Sequence, residues 1–186
     1  GLLIGSDGVI LIDDALEPLA EKVINTVETH SKAPVDFVIN THMHGDHVGG
    51  NAALHKSDAV IHFPEVNVIH SGDILFNGLF PFIDLDSGGS VSGYITAQEK
   101  ILSMSDANTK IISGHGPMAS KGDLQSTHDM LIDALARVKK LVDAGKSEDD
   151  IMAENPLASY HDDWNWGFIT TERMTRTLYR SLTINN

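Results

Sequence analysis

Cysteine is absent from this 186-residue chain, and bases are scarce, with 13 Lys and Arg residues against 26 Asp and Glu residues. Without cysteine there are no disulfides, thiolate-bound zinc or thiol nucleophiles, so any metal must be held by histidine and carboxylate groups. The formal charge of -13, with no basic patch, disfavours nucleic acid and anionic lipid as partners. No apolar run reaches the roughly 18 residues of a membrane-spanning helix. We therefore expect a small-molecule substrate and no nucleic-acid or membrane partner.

A hydrophobic content of 41% is ordinary for a globular core, and we predict a single domain over residues 1–186. No repeat, low-complexity tract or linker divides the chain. No basic and apolar leader opens it, so we expect a soluble protein in a mature or trimmed form.

The hydrophobic pattern predicts a mixed α/β fold. An apolar hairpin turning at residues 5–8 precedes a helix over about residues 17–30 and a strand over 35–39, an order that indicates a parallel crossover. Further predicted elements are strands at 59–63, 66–70 and 110–113, a helix at 91–104, a long helix capped by Asp123 and stopped by Gly145, a short helix opened by Ser147, and a terminal helix around Met174, Leu178 and Leu182.

The densest chemistry follows the strand at 35–39, where His42, His44, Asp46 and His47 fall within six residues. In an extended segment the side chains of His42 and His44 point the same way and can share one ion, while Asp46 and His47 can reach a second ion beside it. Buried together, these groups would lose solvation without a counter-charge, which favours a metal site over a structural role. Zinc suits the ligand set, and iron or manganese would also tolerate it.

Two further candidates follow later predicted strands. Asp73, after Ser71 and Gly72, is expected at one strand end, where its two oxygens could bridge both ions, and His115, in a Gly-His-Gly-Pro stretch, could complete the second site. Two adjacent cations favour hydrolysis, because they lower the pKa of bound water and polarise a carbonyl or phosphoryl oxygen. The nucleophile would be the metal-held hydroxide, oriented by Asp46.

The remaining histidines and the tryptophans have more ordinary interpretations. We expect surface positions or strand packing for the histidines, and for Trp164 and Trp166 either packing against the C-terminal helices or a place in a substrate pocket. The histidines expected at the surface are His30, His55, His128 and His161, and those expected to pack within strands are His62 and His70.

These motifs resemble those of the metallo-β-lactamase superfamily. Its HxHxDH motif matches residues 42–47, its Gly-Asp motif matches Gly72 and Asp73, and its late Gly-His motif matches Gly114 and His115. The resemblance implies a four-layer αβ/βα sandwich with a dinuclear metal site at one edge of the inner sheets. It also implies hydrolysis of β-lactams, thioesters, lactones or similar esters, with Asp73 resembling the glyoxalase II and lactonase pattern.

The chain departs from the family pattern in two ways. The family has another strand before the position of Gly1. It also has tens of residues, including a histidine ligand of the first metal, where only about 17 residues separate His55 from Asp73. We therefore predict that this chain lacks an N-terminal strand and an internal segment near residues 56–58. Neither His55 nor His62 fits the family pattern for the third ligand of the first metal.

The sequence thus predicts a hydrolase with two zinc ions, held by His42, His44, Asp46, His47, Asp73 and His115. Two alternatives stay open: a non-haem iron oxidoreductase on the same fold, and a catalytically impaired metal-binding domain. The absence of cysteine and the resemblance to exported members favour a periplasmic or secreted setting.

Overall fold

The N-terminal part of the chain forms a three-stranded sheet. The computed structural model describes residues 1–6, 8–13, 15–16, 19–33, 35, 37–41, 44, 46 and 60–184. The strands, in the order β1-β2-β3, are β1 (Leu2–Gly5), β2 (Gly8–Ile12) and β3 (Phe37–Ile39). β1 and β2 pair antiparallel with Gly5 opposite Gly8, which confirms the predicted hairpin. β3 runs parallel to β2 and leads the chain into the histidine motif.

Helix α1 (Ala20–His30) connects β2 to β3, as a parallel pair requires. The helix predicted over about residues 17–30 is confirmed, and it begins at Ala20. Val27 is buried, whereas Leu19 and Ile24, which share the predicted apolar stripe, remain largely exposed. The stripe therefore contributes less to the core than its spacing predicts.

The second sheet has four strands in the order β4-β5-β6-β7. They are β4 (Ile61–Phe63), β5 (Val68–Phe76), β6 (Lys110–His115) and β7 (Ala119–Ser120). A short 3₁₀ turn over Pro64–Val66 joins the antiparallel strands β4 and β5, as the Pro-Glu dipeptide predicts. β5 and β6 are parallel and are connected by α2 (Val91–Met104), a helix that the spacing predicts with the same bounds.

The prediction that Asp73 lies at a strand end is wrong. β5 continues to Phe76, and its pairing with β6 shifts register between His70 and Gly72 and again between Gly72 and Phe76. The residues before Asp73, which resemble a turn, instead form a β-bulge, because an extra residue in one strand needs the same backbone freedom as a turn.

Helices make up the rest of the chain. They are α3 (Lys121–Asp143), α4 (Glu148–Glu154), α5 (His161–Trp164) and α6 (Thr171–Thr183), with a 3₁₀ turn over Ala158–Tyr160 before α5. The three helical segments predicted here are confirmed. The N-cap of α3 is Ser120 and not, as predicted, Asp123. Asp123 is the third residue of the helix and forms a capping box with Ser120. Within the described residues, no helix combines the length and the apolar character needed to cross a bilayer.

Two hydrophobic clusters hold the second sheet and the helices together. One lies between β5, β6, α2 and α3 and includes Ile69, Leu75, Ile101, Ile111 and Leu124. The other lies among α3, α4, α6 and the loop after β5, and it includes Phe80, Leu131, Val138, Ile151, Met174 and Leu178. The buried apolar residues of α3 therefore belong to the core.

His128 is not a surface residue, contrary to expectation. It lies on the buried side of α3, where its Nε2 is 3.7 Å from Oε1 of Glu99 on α2. Because α2 and α3 pack together, the neighbouring helix covers this ring while the carboxylate stays near its polar edge. His70 is buried in β5 as predicted, and His30 and His161 are exposed.

The mixed α/β class is confirmed: the described residues form two sheets and six α-helices. The region near residues 56–58, where an absent segment is predicted, lies outside the described residues, as do His42, His47 and His55.

The capping box of α3 predicts a pH-dependent stability. The backbone N–H and hydroxyl of Ser120 both donate to the Asp123 carboxylate, at 2.8 and 2.7 Å, and hold its pKa below the usual value. Because the pKa of Asp123 is lower in the folded state, its carboxylate stabilises the fold at pH values above the unfolded-state pKa of about 3.9. This stabilisation is lost as the pH falls through the folded-state pKa. We expect Asp123→Asn to lower the free energy of unfolding by at most about 1 kcal/mol at pH 7, because the group is exposed.

Urea denaturation at pH 7 and near pH 2.5 measures this difference. It should shrink at the lower pH, where the wild-type carboxylate is protonated as well. Asp162→Asn, at an exposed carboxylate of α5, is the control. An effect of Asp123→Asn that is equal at both pH values would contradict the prediction.

Candidate functional site

The bulge in β5 sets the position of Asp73. Gly72 has φ +51°, and a Cβ at this position would lie 2.8 Å from both Cβ and Oγ1 of Thr41. Glycine is therefore required both for the backbone conformation and for the approach of the segment that carries the histidine motif. Asp73, directly after the bulge, is 9% exposed.

Gly114 allows β6 to approach this carboxylate. A Cβ at position 114 would lie 2.1 Å from Oδ1 of Asp73 and 2.9 Å from its backbone nitrogen. With glycine there, the next residue, His115, places its Nε2 3.4 Å from Asp73 Oδ1. The Gly-Asp and Gly-His motifs thus act together, each supplying a side chain and the space that the other needs.

Asp13 anchors the start of the histidine motif. The backbone N–H of Thr41 donates to Asp13 Oδ1 at 2.7 Å, and the Thr41 hydroxyl lies within 3.0 Å of both carboxylate oxygens. Thr41 is 1% exposed, since it is enclosed between Asp13 at the end of β2 and Gly72 in β5. This contact places the residues that follow Thr41 against the second sheet.

Asp46 reaches the same place as Asp73. Its Oδ2 lies 3.6 Å from Nε2 of His115. Two ligands of one tetrahedral zinc ion, each bound at about 2.1 Å, lie about 3.4 Å apart. The two separations made by His115, 3.4 and 3.6 Å, fit that spacing, and nitrogen with carboxylate oxygen is a donor set that zinc accepts. Each of these two pairs, His115 with Asp46 and His115 with Asp73, therefore has a spacing that two ligands of one cation would have.

The charge of this cluster points the same way. Two carboxylates face an imidazole that carries at most one positive charge, and the Asp73 side chain is only 10% exposed. The buried Asp73 carboxylate is stabilised by a nearby positive charge, which a divalent cation would supply. Among the described residues no three such side chains close around one point as a complete ligand set. The predicted ligands His42 and His47 lie outside those residues.

His44 faces a carboxylate that sequence reasoning missed. Its Nε2 lies 3.2 Å from Oδ2 of Asp84, in the loop between β5 and α2, and its ring lies 5.4 Å from that of Phe82. The Ser87 hydroxyl donates to Asp84 Oδ2 at 2.7 Å, and this bond, followed by the contact with His44, lowers the pKa of Asp84. The Asp-Leu-Asp-Ser-Gly-Gly composition indicates a turn, but nothing in it shows that the first carboxylate contacts the histidine motif.

All four described candidates border one cavity of about 430 Å³. Its lining consists of His44, Asp46, Asp73, Phe76, Phe82, His115, Trp166 and Phe168. Both tryptophans pack against the core of the C-terminal helices, and Trp166 also lines the cavity. The place of Phe168 in the cavity was not predicted. His62, half-buried in β4, is not part of the described lining.

We predict that Gly114→Ala disrupts the site, because the added methyl group would meet Asp73 and the backbone of β5. Overpacking of this kind costs about 1–3 kcal/mol in the free energy of unfolding, which urea denaturation measures. Gly167→Ala is the matched control, since a Cβ there meets no described atom within 4 Å. Equal stability of the two variants would contradict the close approach of β5 and β6.

Comparison with known proteins adds a family match at the N-terminal end. Residues 1–60 match the model of the metallo-beta-lactamase superfamily. This stretch includes Asp13, Thr41 and the whole HxHxDH motif. Among proteins of curated function, none matches the chain.

Solved structures share the fold at low sequence identity. The metallo-beta-lactamase FIM-1 from Pseudomonas aeruginosa, in a mono-zinc form, is 18% identical over 72% of this chain and 82% of its own, with a TM-score of 0.59. A metallo-beta-lactamase from Erythrobacter litoralis is 15% identical over 70% and 83%, with a TM-score of 0.58. TTHA1623, in a di-iron-bound form, is 23% identical over 68% and 91%, with a TM-score of 0.53. These likenesses confirm the predicted fold class.

Proposed function

We propose that the chain is a member of the metallo-β-lactamase superfamily and a metal-dependent hydrolase of an ester, thioester, lactone or β-lactam. The observation that carries the proposal is that Asp46, Asp73 and His115 line one cavity, with Nε2 of His115 within 3.6 Å of both carboxylates. Similarity to the superfamily supports the fold of a metal-dependent hydrolase. The substrate and the reaction are our proposal.

His44, Asp46, Asp73 and His115 are the described residues that would hold metal, with His42 and His47 as further predicted ligands. Divalent cations bound there would polarise a substrate carbonyl and lower the pKa of water. Zinc is the proposed metal. Iron is an alternative, since one structural neighbour was solved in a di-iron form and another in a mono-zinc form.

Asp46 is the proposed proton carrier. Its side chain is 46% exposed, against 10% for Asp73, so it is the carboxylate that water and substrate reach. In hydrolysis the oxygen of water bonds to the carbonyl carbon, the bond to the leaving oxygen, sulfur or nitrogen breaks, and the leaving group takes up a proton. Asp46 would accept the proton that water loses and deliver it to the leaving atom.

His115 is held in place by its surroundings. Its ring stacks on that of Phe76, with 4.5 Å between the ring centroids and an interplanar angle of 16°. Phe76 is buried and belongs to β5. The imidazole is therefore fixed by stacking and by its two carboxylate neighbours.

We predict that Asp46→Asn abolishes most hydrolysis, because the amide cannot carry a proton. The expected loss in kcat is about 10²- to 10⁴-fold. Turnover of an ester, thioester, lactone and β-lactam panel should also stop when a chelator removes the metal. Asp162→Asn should retain wild-type turnover, and turnover that persists without metal would contradict the proposal.

A second prediction concerns Asp84, whose carboxylate would orient His44 for metal binding. Carboxylates that hold a metal-binding histidine affect metal affinity by about 10- to 100-fold. We expect Asp84→Asn to weaken metal binding by that factor, as measured by competition with a chromophoric chelator. Asn keeps an oxygen that can accept from the backbone N–H groups of Asp86 and Ser87. The loop is therefore retained.

The matched control is Asp86→Asn in the same loop. Asp86 pairs with Arg180, and its side chain is 78% exposed. Its replacement should leave metal affinity unchanged. If both variants weaken metal binding equally, Asp84 acts through the loop and not through His44.

The two alternatives make different predictions. An iron oxidoreductase would bind iron and consume oxygen, and a catalytically impaired domain would bind at most one weak ion without turnover. Elemental mass spectrometry of the purified protein, combined with oxygen uptake and the hydrolysis panel, separates the three.

A further inference from the structure

We propose that the cavity selects substrates whose acyl group is apolar and preferably aromatic, and that Phe82, Trp166 and Phe168, here called the aromatic wall, bind that group. The inference rests on the proposed function, because the aromatic wall borders the same cavity as the candidate metal ligands. It assigns a substrate class to that site.

Aromatic contacts run without a break from one candidate ligand to the other. The His44 ring lies 5.4 Å from Phe82, and Phe82 lies 5.4 Å from Phe168. Phe168 lies 5.6 Å from Trp166, which lies 5.9 Å from His115. A substrate whose reacting group lies beside His44 and His115 would therefore have aromatic rings along one whole side of the cavity.

Trp166 presents apolar surface to this space. The only donor of its indole ring, Nε1, donates to the backbone oxygen of Phe80 at 2.9 Å. The indole is thus fixed, and its polar group is already used. The aromatic wall offers faces and edges of rings, which favour aromatic and aliphatic groups over hydroxyl-rich ones.

The aromatic wall is less buried than the core, although Phe82 and Trp166 also pack against the core cluster of the C-terminal helices. Phe168 remains 48% exposed, and Phe82 and Trp166 are only half-buried, whereas the core phenylalanines Phe76 and Phe80 are at most 1% exposed. When a ligand covers exposed apolar side chains in a cavity, apolar surface is removed from water and the free energy of the complex is lowered. The cavity is therefore suited to an apolar ligand.

Arg173 on α6 holds the aromatic wall in place. Its guanidinium carbon lies 4.4 Å from the ring centroid of Phe168 and 5.5 Å from that of Phe82, and its Nη1 donates to the Phe168 backbone oxygen at 2.9 Å. Such stacking is attractive and restrains both rings. Because the rings are restrained before a ligand arrives, less conformational entropy is lost on binding.

Opposite polarity at the two sides of the cavity sets the orientation of the substrate. The reacting carbonyl would lie at Asp46, Asp73 and His115, and the acyl substituent would lie against the aromatic wall. The acyl group, more than the leaving group, would then determine the rate.

Two thioesters that share methanethiol as leaving group test this directly: S-methyl thioacetate, with an acetyl group, and S-methyl 2-phenylethanethioate, with a phenylacetyl group. We expect the zinc-loaded protein to hydrolyse the phenylacetyl compound with a kcat/KM at least about tenfold higher, in line with the discrimination that hydrophobic pockets achieve. Phe168→Ala and Phe82→Ala should each remove most of this preference. Phe168→Leu should retain part of it.

Ile132→Ala, at an exposed apolar residue of α3, is the control and should retain the full preference. Equal kcat/KM values for the two thioesters, or a preference that survives both alanine substitutions, would overturn the inference. Circular dichroism of each variant establishes that it is folded.

Binding tests the aromatic wall independently of turnover. Isothermal titration calorimetry should show phenylacetate binding at least about tenfold more tightly than acetate, with the difference lost in Phe168→Ala. If neither thioester is hydrolysed but this difference is found, the proposed thioester hydrolysis fails and the aromatic wall stands. If the affinities are equal and Phe168→Ala instead turns a dimer into a monomer in sedimentation, the exposed rings serve self-association and the inference is wrong.

Discussion

The close approach of β5 and β6 at Asp73 and Gly114 is the constraint on which the candidate site depends. A single methyl group at position 114 would occupy the space that Asp73 Oδ1 now holds. The bulge at Gly72 turns Asp73 toward that space, and β6 ends one residue after Gly114 with His115 beside it. Neither side chain is placed by its own strand alone, because each position depends on the backbone of the other strand.

The second constraint joins the two sheets. Thr41 is held by Asp13 from the first sheet and closely packed against Gly72 from the second. Without a side chain at Gly72, the segment carrying the histidine motif can lie directly on β5. The resulting site combines Asp46 from one side with Asp73 and His115 from the other. A composite site of this kind forms only when both sheets are folded, which couples the chemistry to the whole fold.

Much of this was predictable from local sequence. The hairpin, the parallel crossover, α2 and the C-terminal helices follow from periodicity and turn residues, and the HxHxDH motif carries its meaning in its spacing. The errors have a common cause. A Ser-Gly pair is compatible with a turn and with a bulge, so local sequence does not distinguish a strand end at Asp73 from a continuing strand. The burial of His128 depends on α2, which is distant in sequence.

The contributions of Asp84 and Phe168 were beyond local sequence for the same reason. Asp84 is 40 residues from His44, and its turn-forming neighbours account for it fully without any reference to a site. Phe168 follows a glycine in a segment without periodicity, and its place at the cavity depends on contacts with Phe82 and Trp166. Sequence spacing locates groups within one element, whereas pairs of groups from different elements need the fold.

The loop between β5 and α2 joins chemistry to substrate selection. It carries Asp84 toward His44 and, two residues earlier, Phe82 toward the aromatic wall. Helix α6 holds this loop at two points, through Arg180 with Asp86 and through Arg173 stacked on Phe82. The exposed ion pair alone contributes little, but together with the stacked guanidinium it fixes two positions of one short loop. A shift of α6 would therefore reach both the aromatic wall and the orientation of His44, although α6 itself contributes no side chain to the described lining of the cavity.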